Sequence, residues 1–274
     1  MRTISIINLK GGVGKTTTAI NMAAILAEQG KEVLVIDGDP QCNLTQFYGI
    51  PDPEKTCDGT IAQLIDLDAE GRSDTAEDYV VPTPVAGVSL VPGSIDLINA
   101  DIGKMLRGDG HVSVKAIRSL LDSLNESAWI ENGVPEDGCD AFDYVIIDCP
   151  PSFTASSVAA LYASDDVIIP LQADLFAITG MKTLMAQIDS VRRFRPNIRI
   201  AGALITGWHN TPACIQGESA LRSSAVPIFE QTIRRSDKVT ESIFMQQSLQ
   251  AYSPQSAAGR DYRAFVNEYL EGVR

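Results

Sequence analysis

The chain has 274 residues, with 35 acidic against 22 basic side chains for a formal net charge of −13, and it is 45% hydrophobic and 6% aromatic. Those proportions exclude collagen, coiled coil and disorder, and the length allows one large domain or two small ones. An acidic balance argues against a general affinity for nucleic acid, because phosphate neutralisation needs Lys and Arg, but it leaves room for a local basic patch.

The chain enters a strand-like apolar run at residues 1–5 with no charged leader, so no export signal is expected. No run reaches the roughly 20 apolar residues that span a bilayer. Short Val- and Ile-rich runs at 4–8, 32–37, 88–92, 144–148, 166–171 and 200–206 alternate with helical stretches. That alternation predicts an α/β fold, a doubly wound, mostly parallel sheet with helices on both faces. Between Thr16 and Gln29 the positions Ile20, Ala23, Ala24 and Ala27 recur at helical spacing, and Gly30 stands where a helix ends. Residues 51–84 and 125–140 are polar and punctuated by Gly and Pro, and read as peripheral excursions from one domain spanning 1–274. The five cysteines, Cys42, Cys57, Cys139, Cys149 and Cys214, form no C-x-x-C pair. They suit neither a zinc ribbon nor a disulfide framework, and reduced thiols imply the cytoplasm.

Directly after the first strand comes KGGVGKTT, Lys10 to Thr17. A glycine-rich loop opening a helix aims backbone N–H groups and the positive end of the helix dipole at phosphate oxygens, and adds a lysine and a magnesium-binding hydroxyl. The nucleotide-binding residues are then Lys10, Gly11, Gly12, Val13, Gly14, Lys15, Thr16 and Thr17. The general pattern G-x-x-x-x-G-K-[ST] wants glycine at position 9, where this chain has Leu9, and it carries Lys10 instead.

With that loop, the chain resembles the ParA/Soj family of deviant Walker A ATPases, P-loop relatives of MinD. The likeness extends through VLVIDGDPQCNLT (33–45), DYVIIDCPPS (143–152), DDVIIPLQAD (165–174), IRRSDKVTES (233–242) and AYSPQSAAGRDY (251–262). The resemblance implies ATP and Mg²⁺ as cofactors. It makes Lys15 the ligand of the β- and γ-phosphates and Thr16 a Mg²⁺ ligand. Lys10 becomes the family's signature lysine, which crosses a nucleotide-sandwich homodimer to touch the partner's ATP. Asp39 matches the aspartate that orients the attacking water. Asp37 and Asp148 lie near the metal through its water shell, and Pro150-Pro151 begins a segment that senses the γ-phosphate. Read without the resemblance, Asp37-Gly38-Asp39-Pro40 and the Pro150-Pro151 exit are also ordinary polar turns, and Cys149 is a buried small residue.

The resemblance further implies a cytoplasmic partition ATPase, nucleoid-associated when ATP-bound, whose dimer holds non-specific DNA until a ParB-like partner stimulates hydrolysis. Arg235 and Lys238 fall where Soj-like proteins have basic residues implicated in DNA contact, although such charges also suit a solvated face. Where those proteins place another DNA-contacting arginine this chain reads GWHNTP, with Thr211 at the matching position. The final segment, DYRAFVNEYLEGVR, has Phe265, Val266, Tyr269 and Leu270 at helical spacing but mixed charge, which predicts a helix packed on the body and no stable membrane association. No helix-turn-helix arm is expected ahead of the loop. A MinD-like or other cargo-positioning ATPase, and a nucleotide-gated interaction module with little hydrolysis, remain open.

Overall fold

A computed structural model describes residues 1–66, 73, 75–100, 113–132 and 140–273, with the side chains of 129–132 excepted. Cys139 and part of both expected excursions lie outside them. The described elements, in chain order, are β1 (Arg2–Ile6), α1 (Lys15–Glu28), β2 (Val33–Asp37), α2 (Asn43–Phe47), α3 (Pro53–Thr56), α4 (Ile61–Ile65), β3 (Val81–Pro82), β4 (Val88–Val91) and α5 (Ala116–Asn132). There follow β5 (Tyr144–Asp148), α6 (Ala155–Ala163), β6 (Asp166–Leu171), α7 (Ala177–Arg192), β7 (Arg199–Ile205), α8 (Pro212–Arg222), α9 (Asp237–Phe244), α10 (Leu249–Tyr252) and α11 (Ala257–Glu271).

The strands form a seven-stranded sheet in the order β3-β4-β2-β5-β1-β6-β7. Every pairing is parallel except β3 with β4, where Val81 faces Leu90 and Pro82 faces Ser89. The expected α/β architecture is therefore present, with one antiparallel edge strand that the sequence pattern did not reveal. Two residues carry no readable alternation, and Pro82 suits only an edge, since it has no N–H for a second neighbour.

Apolar side chains pack on both faces, as parallel strands require. On one face Ile4, Ile6, Val33, Val35 and Ile146 meet α1 and α11 through Ile20, Ile25, Leu26, Phe265 and Val266. Fully burying each such Ile or Leu contributes about 1.5–3 kcal/mol, so the packing of α1 rather than its intrinsic propensity fixes it. The expected C-terminal helix is α11, with Tyr262, Phe265, Val266 and Tyr269 buried and the Phe265 ring edge-on to Phe229 at 4.9 Å. Among the described residues no helix is long and apolar enough to cross a membrane.

On the other face α5, α6 and α7 cover the sheet, and the stretch expected to be peripheral joins them. Ile61, Leu64, Ile65 and Tyr79 are buried there, and α5 runs through the start of the second expected excursion as far as Asn132. Composition misleads at both places because a few apolar residues at helical spacing suffice to seat a short helix among polar neighbours. Within α5, Asn125 is buried and its Oδ1 accepts the Ala141 N–H at 2.9 Å.

The order of strands sets the site. The chain leaves β1 for β2 on one side of β5, then returns to β6 on the other side of β1, so the connections diverge above the C-terminal ends of β1 and β5. Ligands bind open α/β sheets in that crevice. Ile6 pairs with Asp148 and Asp37 pairs with Asp148, which brings the ends of three strands together at its floor.

Candidate nucleotide site

The glycine-rich loop is fastened at both ends. Asn8, just beyond β1, donates from Nδ2 to the Pro170 carbonyl at 2.7 Å and accepts the Lys10 N–H on Oδ1 at 3.0 Å. Val13 is buried, and its carbonyl accepts from Thr206 Oγ1 at 2.8 Å, a proton shared with the Leu171 carbonyl at 3.1 Å. On either side of Val13, Gly12 and Gly14 adopt φ of +73° and +86°, left-handed values that favour glycine. Gly14 is also the residue ahead of α1 and offers no side-chain cap. The N–H groups of the first turn, from Lys15, Thr16 and Thr17, have no acceptor within the helix and converge on the loop as an anion receptor.

Lys15 is almost fully buried, and its Nζ donates to the Lys10 carbonyl at 3.4 Å. Burial lowers its pKa, opposed by the nearby Asp148 and Asp39 carboxylates. Thr16 Oγ1 donates to Asp148 Oδ2 at 2.6 Å. Asp148 Oδ1 is buried with no hydrogen-bond partner. Desolvation, then repulsion from Asp37, pushes the Asp148 pKa well above the carboxylate range, against the pull of the Thr16 bond and Lys15. A hydroxyl beside a carboxylate that keeps one orphaned oxygen is the donor chemistry magnesium uses when it also takes phosphate oxygens and waters.

Asp37 and Asp39 play different parts in the geometry. Asp37 is fully buried, and both its oxygens are occupied: Oδ1 accepts the Asp39 N–H at 3.2 Å, and Oδ2 accepts the Thr45 N–H at 2.8 Å and the Thr45 hydroxyl at 2.7 Å. Burial raises its pKa to about 6, against those hydrogen bonds. Asp39 closes a turn by accepting the Gln41 N–H on Oδ1 at 2.9 Å. Gly38 between them donates to the Asp148 carbonyl at 2.9 Å, and a Cβ there would sit 3.0 Å from that oxygen, a tight contact that favours glycine where the loop lies this close to β5. The expected pairing of Asp37 with a metal's water shell therefore has no orphaned oxygen to mark it, unlike Asp148.

Lys10 lies at the loop's outer rim, and its ammonium is ion-paired with Asp174 of the same chain. The two basic residues singled out for DNA do not form one patch of bare charge. Lys238 is bonded to Glu241 at 2.6 Å, whereas Arg235 is exposed and lines a cavity of about 810 Å³ together with Thr211, His209, Cys214 and Asp174. Thr211 caps α8, accepting the Cys214 N–H at 3.4 Å, and Trp208 packs locally with its Nε1 donating to Glu218 at 2.7 Å. Cys149 is buried and burial pushes its pKa up; among the described residues no group of three or more His, Cys, Asp or Glu side chains is placed to hold a metal ion.

Residues 1–200 match the family model described as an AAA domain. The whole chain is 31% identical to the chromosome-partitioning ATPase Soj of Thermus thermophilus, covering 97% of that protein, and 30% identical to the chromosome partitioning protein ParA of Caulobacter vibrioides, covering 96% of it. It belongs to the ParA/MinD family of P-loop ATPases. Among solved structures it is similar to cobyrinic acid a,c-diamide synthase from Mycobacterium smegmatis with bound ATP analog and magnesium, at 28% identity and a TM-score of 0.74 over 100% of this chain and 97% of that one.

Within this ParA/MinD-family site, several residues escaped the sequence reading. Thr45 holds Asp37, Thr206 holds the glycine-rich loop, and Asp174 holds Lys10. Asp174 ends the DDVIIPLQAD segment and was legible as a carboxylate at a strand end. Thr45 and Thr206 carry no such signal, because a hydroxyl that serves a neighbouring loop has no fixed spacing from it.

Proposed function

We propose that this chain is a partition ATPase that binds ATP and Mg²⁺ in the loop from Lys10 to Thr17, dimerises around two ATP molecules, and in that state holds non-specific DNA. A ParB-like partner would release it by stimulating hydrolysis to ADP and phosphate. The observation that carries the reading is the orphaned Asp148 Oδ1 beside the Thr16 hydroxyl, beneath a loop of uncapped N–H groups. The likeness to Soj and to an ATP-analogue-bound structure supports it.

In this account Lys15 would hold the β- and γ-phosphates, and Thr16 and Asp148 would hold magnesium. The ion supplies charge neutralisation on the phosphate oxygens. Asp39 orients the attacking water, Asp37 fixes the loop that presents Asp39, and Lys10 reaches the nucleotide of the second protomer. A cation delivered in trans is worth roughly 10³–10⁵ in rate in phosphoryl transfer, so turnover without the dimer is slow. Phosphate release measured with and without Mg²⁺ tests the enzymatic core: Mg²⁺-dependent release supports it, and no release above background at any protein concentration contradicts it.

A second reading, a family member that positions a protein cargo, is favoured by the state of the basic residues. Lys238, Arg222, Arg234 and Arg263 are each engaged by a carboxylate of the same chain, which leaves less free positive charge for DNA than the sequence suggests.

A further inference from the structure

The peptide unit ahead of Asp39 is held at both of its polar atoms. Its N–H, on Asp39, donates to Asp37 Oδ1 at 3.2 Å, and its carbonyl, on Gly38, accepts the Ser156 hydroxyl at 2.9 Å. A trans peptide is planar with its N–H and carbonyl pointing opposite ways, so partners on both sides stop it rotating and set the direction in which the next side chain leaves. The grip of Asp37 comes from the same turn, whereas Ser156 lies 118 residues further along the chain, in the first turn of α6. Gly38 also donates its N–H to the Asp148 carbonyl, so the stretch 148–156 holds both main-chain polar groups of Gly38.

Ser156 is buried in a helix made otherwise of small and apolar residues, ASSVAALYA apart from its tyrosine. Burying a hydroxyl is unfavourable unless it is hydrogen-bonded, and alanine would suit the helix better, so packing and propensity do not account for serine here. Its neighbours Ser157 and Ser164 are buried too, but they donate within their own segment, to the Ser152 carbonyl at 2.7 Å and the Ala160 carbonyl at 2.8 Å. Ser156 alone of these three spends its proton on the turn that carries Asp39. Its oxygen in turn accepts from Thr154 Oγ1 at 2.9 Å, which keeps the hydroxyl pointed at Gly38.

We propose that Ser156 is a positioning residue for hydrolysis, acting through the Gly38 carbonyl to aim the Asp39 carboxylate. This rests on the reading of Asp39 as the group that orients the attacking water. Without the Ser156 hydroxyl the peptide between Gly38 and Asp39 keeps only its N–H partner, and Asp39 samples directions that do not serve the water. The glycine-rich loop has its anchors elsewhere, on Asn8 and Thr206, so nucleotide binding is spared.

The test compares the full-length chain with Ser156→Ala and with Ser164→Ala, which also removes a buried hydroxyl but at the far end of α6. Hydrogen–deuterium exchange of the peptide covering 37–42 reads the turn directly, phosphate release with ATP and Mg²⁺ gives kcat apart from KM, and a fluorescent ATP analogue gives affinity. Ser156→Ala is expected to speed exchange at 37–42 and to lower kcat about 5–50-fold, the scale of a misdirected group, with affinity within about twofold of the parent. Ser164→Ala should change neither exchange at 37–42 nor kcat. Unchanged exchange or unchanged kcat in Ser156→Ala, an equal fall in kcat in Ser164→Ala, or a fall matched by lost affinity overturns the positioning role and leaves the hydrolytic reading standing. Absence of phosphate release in the parent chain overturns the hydrolytic reading and the role of Ser156 with it.

Discussion

Thr16 Oγ1 donates to Asp148 Oδ2 at 2.6 Å while the other oxygen of that carboxylate is buried without a partner. The chain thus buries a carboxyl group whose charged form desolvation disfavours. Replacing it by a neutral isostere, Asp148→Asn, should raise the melting temperature of the nucleotide-free protein at pH 7, because burial disfavours the charge there. The same change should weaken Mg²⁺-dependent ATP binding by about 10–100-fold, the usual cost of losing a group that acts on a metal through its outer shell. Thermal melts with and without Mg²⁺ and ATP read both effects, and a variant that melts lower yet binds normally would contradict the assignment.

Asp37 gives a pH dependence with a definite sign. Its native pKa of about 6 lies above the ordinary carboxylate value near 4, so between these limits the native chain holds a proton that the unfolded chain has lost. This group's contribution to stability therefore declines as pH rises from about 4 to about 6, and the full penalty is present above that window. Thr45→Val removes a hydroxyl that donates to Asp37 and accepts the Gly93 N–H at 2.8 Å, and should cost about 2–4 kcal/mol in urea unfolding. The deficit should be larger at pH 8 than at pH 5, since the lost hydrogen bond served the charged form. Equal deficits at the two pH values would show that Asp37 is not the group affected.

Much of this was legible in the sequence. The strands at 144–148 and 166–171 were read to the residue, because short runs rich in Val and Ile, with a polar residue at or just after the last position, leave little choice for a strand buried on both faces. β1 begins two residues earlier than its apolar run, since Arg2 is drawn into the sheet by its N–H bond to the Asp143 carbonyl and by Asp166. The glycine-rich loop was legible as a tight turn from strand to helix, and Gly12 and Gly14 do take left-handed φ. What was not legible is who holds each functional group. Lys10 and Asp174 are 164 residues apart, and only the crossover of β6 past β1 makes them neighbours.

Asp39→Ala should separate binding from chemistry. Loss of a group that positions the attacking water lowers turnover by roughly 10²–10⁴-fold. The ATP-dependent dimer should persist, because Asp39 bonds only within its own turn. Phosphate release and size-exclusion chromatography in parallel check this, and turnover equal to the parent chain would remove Asp39 from the mechanism.

Lys10→Ala should keep the fold and abolish the dimer. The Lys10–Asp174 pair is half-exposed, so its loss changes stability by about 0–1 kcal/mol. Melting curves should overlay closely, while the ATP-induced shift in elution volume disappears. A preserved dimer peak would contradict a role in trans.

The most direct test of a DNA-partition role is fluorescence anisotropy on a random-sequence duplex with ATP, with ADP and without nucleotide, across a salt series. Binding is expected with ATP only, weakening steeply with salt, with a shallower salt slope for Arg235→Ala, because each phosphate contact contributes to that slope. Binding in no nucleotide state, or binding indifferent to nucleotide, would contradict it.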